Sequence, residues 1–566
     1  MESRWVIDQN VDEVAVDHLA KELGIPPVLA RILLKRGIDC FDKAKIYFNP
    51  NLDRLHDPFF FFFMDLATQR LHKALENGEK IMVYGDYDVD GVCGSSLLYL
   101  VLSRMVGTRV NYYIPDRISE GYGLSKDAIQ RFADQGISLI VSIDCGVTAV
   151  EEVQFARDIG VEVIICDHHE PGDKLPPAVA VLDPKRPDCP YPFKELAGVG
   201  VGFKFMQGLY QHLGLNEAEL DEYLDIVALG SCADIVPLVD ENRILVSHGL
   251  QLINHRPRFG VKALLESSGV DRKDITVGLI VFVVAPRINA VGRMGDARRA
   301  VQMMCANSLQ RARVFARELE RENKNRRSVD ENTFKEALET AEAHFDPERD
   351  RAMVLYKEGW HPGVIGIVAS RIVERYYRPT VMISVVDGIG KASARSIADF
   401  NIYEAIKECS EFLEAYGGHK YAAGLTIKQE NIPAFAEKFK AVADRQITDD
   451  DLIPRMRVDC EVELKDFDER LMRLLKLMGP FGPLNLRPVF VSRNLNVVGE
   501  ASVVGSNHLK LSVEQNGVKM NAIGFNLGDQ IERVVANKGV LDCAYVVEEN
   551  YWNGRKELQL RLKDIK

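Results

Sequence analysis

Hydrophobic and polar positions along the chain change period several times, and each change marks a new element. From residue 1 to 75 the apolar residues recur at helical spacing, as in "VDHLAKELGIPPVLARILLKRG", so a helical segment is predicted. "PFFFFF" (58–63) reads as packing surface, with a base-stacking platform as the alternative. From 80 to 184 five short β-rich runs, "KIMVYGD", "VNYYIPD", "ISLIVSID", "VEVIICDHH" and "AVAVLDP", are mostly separated by helix-length stretches. That alternation predicts a doubly wound parallel α/β sheet. Residues 190–300 read as mainly helical. The charged stretch 309–345 has neither Gly nor Pro and predicts one long, largely solvated helix. A second α/β region is expected over about 350–445, with "RAMVLY" and "PTVMISV" as strands around a helix. The last 110 residues are β-rich, with hairpins expected at Asn516-Gly517 and Asn553-Gly554 and a small barrel of OB type as one candidate.

Composition narrows the class only slightly. The 566 residues are 46% hydrophobic and 27% charged, and a chain of this length divides into several domains. No run of about 18 apolar residues is read, so no membrane span is expected. The ten cysteines include no C-x-x-C pair, which speaks against structural zinc and fits buried thiols in a reducing cytoplasm. The net charge of −12 leaves room for a local basic groove, and bound cations would offset part of it.

The chemistry gathers where the strands of the first α/β region end. Asp86 and Asp88 close the first, Asp116 and Arg117 the second, Asp144 the third, and Asp167, His168 and His169 the fourth. Ligands of open α/β sheets bind outside these carboxyl ends. Any one of these aspartates alone reads more readily as a cap than as a ligand, and the histidine pair alone as structural; their convergence on one edge predicts a metal cluster. Asp86 and Asp88 are the natural ligands, Asp90 with Gly91 reads as turn and helix-cap chemistry, and Asp234 ends another apolar run. Mixed carboxylate and imidazole ligation suits Mn²⁺, with Mg²⁺ favouring an all-oxygen shell. Phosphate handling is suggested by "PRINAVGRMGDARRA", where a loop is expected to present Arg287 and Arg293 around Asn289. Arg298 and Arg299 read as a solvated basic face. "GWHPGVIGIVASR" sets Pro362 and Gly363 at an expected helix start with Arg371 two turns on. "GKASARS" and "YGGHKYAAG" add Ser393, Arg395, Gly418 and His419.

In this order and spacing, "GDYDVDG", "PDRISEGYGL", "SIDCG", "ICDHHEP", "ALGSCADIVPL", "PRINAVGRMGDA", "GWHPGVIGIVASR" and "AYGGHKYAAG" resemble the motifs of the DHH phosphoesterase superfamily and, within it, the RecJ family. The resemblance implies an α/β fold: a DHH-type parallel-sheet domain, a DHH-associated α/β domain joined by a long helix, and a C-terminal OB-like barrel. The expected boundaries are 1–75, 76–305, 306–348, 349–450 and 451–566. It implies two divalent ions, Mn²⁺ or Mg²⁺, held by Asp86, Asp88, Asp144, His168 and Asp234. His169 would stand by the scissile phosphate and Asp167 would orient the histidines. Arg117, Arg287, Asn289, Arg293, Arg371, Ser393, Arg395, Gly418 and His419 would hold DNA phosphates in the cleft between the two α/β domains. The implied activity is 5′→3′ hydrolysis of single-stranded DNA to 5′-mononucleotides, in DNA repair and recombination. The implied setting is the cytoplasm, as a monomer working with single-strand-binding protein and a helicase and without a membrane. Tyr551 or Trp552 on the barrel would stack bases, with surface packing as the equal alternative for residues beside a hairpin turn. The alternatives are a DHH phosphodiesterase of short oligonucleotides or cyclic dinucleotides, and an inactive scaffold of the same fold. Two departures from the family pattern stand out: Tyr84 occupies a position where some relatives carry histidine, and "GPLNLRP" replaces "GxGNPxP".

Overall fold

The computed structural model describes residues 3–7, 11–117, 120–537, 539–552 and 555–566, and the side chains of 551–556 lie outside that description. The chain forms two compact units, residues 50–328 with 480–486, and residues 1–49 with 329–479 and 487–566.

In the first unit the predicted runs are the strands β1 (Lys80–Gly85), β2 (Val110–Tyr113), β3 (Ile137–Ile143), β4 (Glu162–Cys166) and β5 (Ala180–Leu182), in the order β2-β1-β3-β4-β5. All neighbours are parallel. Their near-continuous apolar sequences follow from burial on both faces. One face is covered by α1 (Met64–Asn77), α2 (Val89–Val106) and α3 (Gly198–Leu213), with α4 (Leu224–Ala233) packed on α2 and α3 in turn. Helices Lys126–Asp134 and Val150–Asp158 cover the other. Strand order reverses on either side of β1, so the loop that follows β1 sits at the switch point of the sheet.

Three expectations change here. The first helical segment is divided: residues up to 49 belong to the other unit, while α1 buries Met64, Ala67, Leu71 and Ala74 against the sheet. "PRINAVGRM" is not a loop but the helix α5 (Ala285–Met294). Two helices, Val89–Arg109 and Val277–Met294, are long and apolar enough to cross a membrane. The first is mostly, and the second half, buried in this protein, so their apolar character supplies the core.

The second unit contains a mixed sheet of β6 (Met353–Glu358), β7 (Thr380–Val386), β8 (Ile389–Arg395), β9 (Leu413–His419) and β10 (Ala422–Lys428), in the order β9-β10-β8-β7-β6. Only β6 and β7 are parallel. Strands Phe490–Val497, His508–Gln515, Val518–Gly524, Val540–Trp552 and Arg555–Ile565 close into a barrel. Asn516 and Gly517 turn with φ of 51° and 83°, the left-handed pair that a tight hairpin needs; Asn553-Gly554 lies outside the described residues. Residues Arg4–Ile7, expected as helix, form a strand parallel to Arg455–Val458. Ser3 and Trp5 anchor it by donating to Asp564.

The predicted long helix is α6 (Leu309–His344). It is less solvated than expected, because Ala312, Ala316 and Leu319 join the core of the first unit, and Ala337 and Ala341 that of the second. All ten cysteines are unpaired, eight of them buried.

Candidate metal centre

The loop after β1 turns directly into α2. Asp88 is the N-cap, its side chain accepting the Gly91 N–H at 3.0 Å. This reverses the role expected of Asp90. Asp90 is 1% exposed and accepts from the backbone of Gly198 and Val199 at 2.6 and 3.0 Å, at the start of α3. Sequence reading missed it because the partners that draw it inward lie more than 100 residues away.

Asp144 follows β3 with φ of +61°, a left-handed conformation that is costly for a non-glycine residue and concentrated at functional sites. It packs against the start of α3 so closely that a Cβ on Gly198 would lie 2.8 Å from Asp144 Oδ1. His168, after β4, aims Nε2 into the same space: 3.1 Å from Asp144 Oδ1, 3.5 Å from Asp234 Oδ2 and 3.9 Å from Asp90 Oδ2. Ligand atoms of Asp86, Asp88 and Asp144 lie within 4.8 Å of one another, as do those of Asp90, His168 and Asp234, and of Asp144, His168 and His169.

Electrostatics point the same way. Burial, with the neighbouring carboxylates adding to it, pushes Asp86, Asp144 and Asp234 well above the usual carboxylate range. The same causes raise Asp90 to about 7. Burial, reinforced by His169, pushes His168 down to about 3, leaving the neutral imidazole that ligates metals. Asp86 Oδ1, Asp144 Oδ1 and His168 Nε2 are buried without a hydrogen-bond partner among the described residues. Buried polar atoms are ordinarily satisfied, so this donor set fits divalent cations: one trio all oxygen, one with a single nitrogen and one with two.

His169 is set apart. Asp167 accepts from the backbone N–H of Val147, His168 and His169, and its Oδ1 lies 2.7 Å from His169 Nδ1. Burial opposes a charge on His169, but the Asp167 carboxylate outweighs it and raises the ring to about 9. The ring is half-exposed, with the Tyr122 hydroxyl 3.4 Å from Nδ1. Tyr84 takes no part: its hydroxyl donates to the Gly123 carbonyl at 2.9 Å.

The phosphate candidates separate into two groups. Arg117 is exposed with its guanidinium 5.1 Å over the Tyr87 ring, beside Asp86 and Asp88. Arg293 and Asn289 lie half-buried on α5. Arg287 departs from expectation: it is 5% exposed, ion-paired with Glu320 of α6 at 2.6 Å and donates to the Val283 carbonyl. Its charge locks α5 to α6 rather than facing a ligand. In the second unit, Ser393 and Arg395 lie on β8, where Arg395 donates to Ser393 Oγ at 3.0 Å. Across the sheet Arg395, Ala422 and His419 share one row, and Ser393, Gly424 and Gly417 another. Gly366 faces the same two side chains, for a Cβ there would lie 2.8 Å from Ser393 Oγ. The result is a small-residue floor with one guanidinium, one hydroxyl and one imidazole at its edges, and Gly418 continues it within β9, paired with Ala423 at φ +144°. Arg371 is engaged elsewhere, 3.7 Å over the Phe334 ring and 3.3 Å from Asp330. The helix beside it, α7 (Ile365–Tyr376), starts later than expected, and the Gly363 N–H is bound by His361 Nδ1.

The matches to known proteins follow this anatomy. Residues 80–231 match the model of the DHH family N-terminal domain, 349–445 the DHHA1 domain and 458–564 the RecJ OB domain. Sheet, cluster and matched models define the class as DHH-type phosphoesterases. The single-stranded-DNA-specific exonuclease RecJ of Bacillus subtilis (strain 168) is 38% identical over 565 residues, covering 99% of this chain and 70% of that protein. That of Escherichia coli (strain K12) is 32% identical over 581 residues, covering 98% of each. The crystal structure of RecJ in complex with Mn²⁺ from Thermus thermophilus superposes with a TM-score of 0.85 at 29% identity, covering 100% of this chain and 79% of that one. The chain belongs to the RecJ family.

Proposed function

We propose that this protein is a metal-dependent exonuclease that degrades single-stranded DNA from its 5′ end to nucleoside 5′-monophosphates. The observation that carries this reading is the set of donor trios gathered around Asp144 and His168, with buried oxygens and a neutral imidazole nitrogen that have no hydrogen-bond partner among the described residues. Asp86, Asp88 and Asp144 would hold one ion, Mn²⁺ or Mg²⁺, and Asp90, His168 and Asp234 a second. When bound, such ions supply Lewis-acid charge at the phosphorus under attack. The chain's own residues do the rest. His169, kept cationic by Asp167, donates a hydrogen bond to a non-bridging phosphate oxygen. Arg117 and Arg293 hold the strand beside the cluster. Ser393, Arg395 and His419 grip a phosphate over the glycine floor, where only a chain without bulk at the contact can lie flat. On the barrel, Phe525 is 48% exposed, with the Arg561 guanidinium 5.4 Å from its ring and His508 edge-on. This is an aromatic platform of the kind that stacks bases. It would act alongside Tyr551 or Trp552, whose side chains lie outside the described residues. A monomer in the cytoplasm, acting with single-strand-binding protein and a helicase, completes the proposal on family resemblance.

The test uses 5′-labelled single strands with Mn²⁺ or Mg²⁺. Labelled mononucleotide should appear first, with duplex substrate resistant; release from the 3′ end, or cleavage of short oligonucleotides alone, would overturn the reading. Arg395→Ala is expected to weaken strand binding about tenfold and to flatten the dependence of log K on log salt by about 0.7, one phosphate contact on a single strand. Titration by anisotropy at several salt concentrations measures both, and an unchanged slope removes Arg395 from the phosphate contacts.

A further inference from the structure

The segment 480–486 is separated in sequence from the rest of the first unit, yet it packs as part of it. Gly482 and Asn485 pair through two backbone hydrogen bonds of 3.1 and 2.9 Å. Between them Pro483 and Leu484 make the turn, with Leu484 at φ +55°. Proline followed by a left-handed residue has the signature of a type II turn, in which glycine or asparagine usually takes the second place. Asn485 is 1% exposed, and its side chain donates to the Pro480 carbonyl at 2.8 Å, closing the base of the loop.

What this small hairpin touches is the loop that follows α4. The Leu238 N–H donates to the Pro483 carbonyl at 2.8 Å. Gly482 lies against the Leu238 side chain so closely that a Cβ there would stand 2.6 Å from Cδ1 and 2.8 Å from Cγ. Leu238 is 1% exposed and cannot swing into solvent without emptying its site. The stretch from Asp234 to Leu238 has further ties: Asp234 caps α4, the Ile235 N–H donates to the Cys232 carbonyl at 3.4 Å, Val236 is buried in the core, and the Pro237 carbonyl accepts from Asn242 at 3.0 Å, whereas Ile235 itself is 59% exposed with φ +60°. Ile235 in the left-handed region is a strained β-branched residue, so this loop does not hold its shape through local preference. The hairpin pins one end of it and α4 the other, with Asp234 at the α4 end.

We propose that the hairpin Pro480–Leu486 is a positioning element for the metal centre, fixing through Leu238 the loop from which Asp234 reaches toward His168. This rests on the reading of Asp234 as a ligand. Metal affinity in such a site depends on groups that orient the ligands as well as on the ligands, typically by 10- to 100-fold. Coupling is reciprocal: an ion on Asp234 holds the loop, and the loop holds the amide of Leu238 against the hairpin.

Two measurements on the full chain test it. Mn²⁺ binding is followed by the electron-spin-resonance signal of free Mn²⁺ in wild type, Gly482→Val and Leu484→Asn. Gly482→Val, which drives a side chain into Leu238, should weaken one of the bound ions about tenfold or more. Leu484→Asn, at a position 71% exposed and with a residue that tolerates the left-handed turn, should leave binding unchanged. In wild type, hydrogen exchange in a peptide spanning residues 235–243 should slow when Mn²⁺ is added. This second readout stands even where Gly482→Val fails to fold. Unchanged Mn²⁺ affinity in folded Gly482→Val, or exchange indifferent to Mn²⁺, would overturn the positioning role while leaving the metal site standing. Absence of Mn²⁺ binding by wild type would overturn both.

Discussion

Asp144→Asn is expected to lower turnover on the order of 10³-fold, the loss that follows when a ligand of the all-oxygen trio, 3.1 Å from His168 of the other, no longer carries charge and several kcal/mol of transition-state stabilisation disappear. The metal-free fold should not suffer. Asp144 is 2% exposed among carboxylates that already push its ionisation upward, so a neutral isostere removes repulsion, and the metal-free variant should unfold at a higher temperature than metal-free wild type. Single-turnover assays on labelled strands and thermal melts in chelator check the two halves. Turnover within a factor of about ten of wild type would exclude Asp144 from the ligand set, and a melt lowered by several degrees would mean that its carboxylate stabilises the empty fold.

The second large effect concerns pH. His169 is held above its ordinary value, to about 9. A histidine whose folded value is raised gives stability that is complete below about 6.5 and is lost as pH climbs through 9. Asp86, Asp144 and Asp234, also raised in the fold, act in the same direction, because the unfolded chain gives up protons that the fold retains. His168, lowered to about 3, works the other way, but only below about 6.5. Chelated protein should therefore melt several degrees lower at pH 9 than at pH 6.5. Saturating Mn²⁺ should largely abolish that slope by compensating the carboxylates, leaving the His169 contribution. A flat profile without metal would mean that the cluster does not carry these charges.

How much of this was legible in the sequence depended on the range over which each feature is decided. The five strands of the first sheet and the acidic residues at their ends could be read because apolar runs and strand-end polarity are local signals. The Asn516-Gly517 turn was legible for the same reason. Asp90 read as the cap, a role that Asp88 takes while staying in the all-oxygen trio, because alternation places both near the helix start, and only the α3 amides, more than 100 residues away, draw Asp90 inward. Arg287 read as a phosphate ligand because a guanidinium near glycine and asparagine looks available; its partner Glu320 stands on α6. The strand Arg4–Ile7 was invisible for a comparable reason, since four residues acquire an extended conformation only from a partner some 450 positions on. Tyr122 lies inside the run "PDRISEGYGL" without a role assigned to it there, and its place is set by its distance to His169.

The contact between Gly198 and Asp144 has a genetic corollary. The hydrogen at position 198 is the largest substituent that space tolerates, so the commonest conservative replacement, alanine, acts there as though it had been made in the carboxylate itself. Alleles mapping to this codon should score as nulls although the residue has no functional group, and a catalogue of essential positions drawn up from chemistry alone would overlook it.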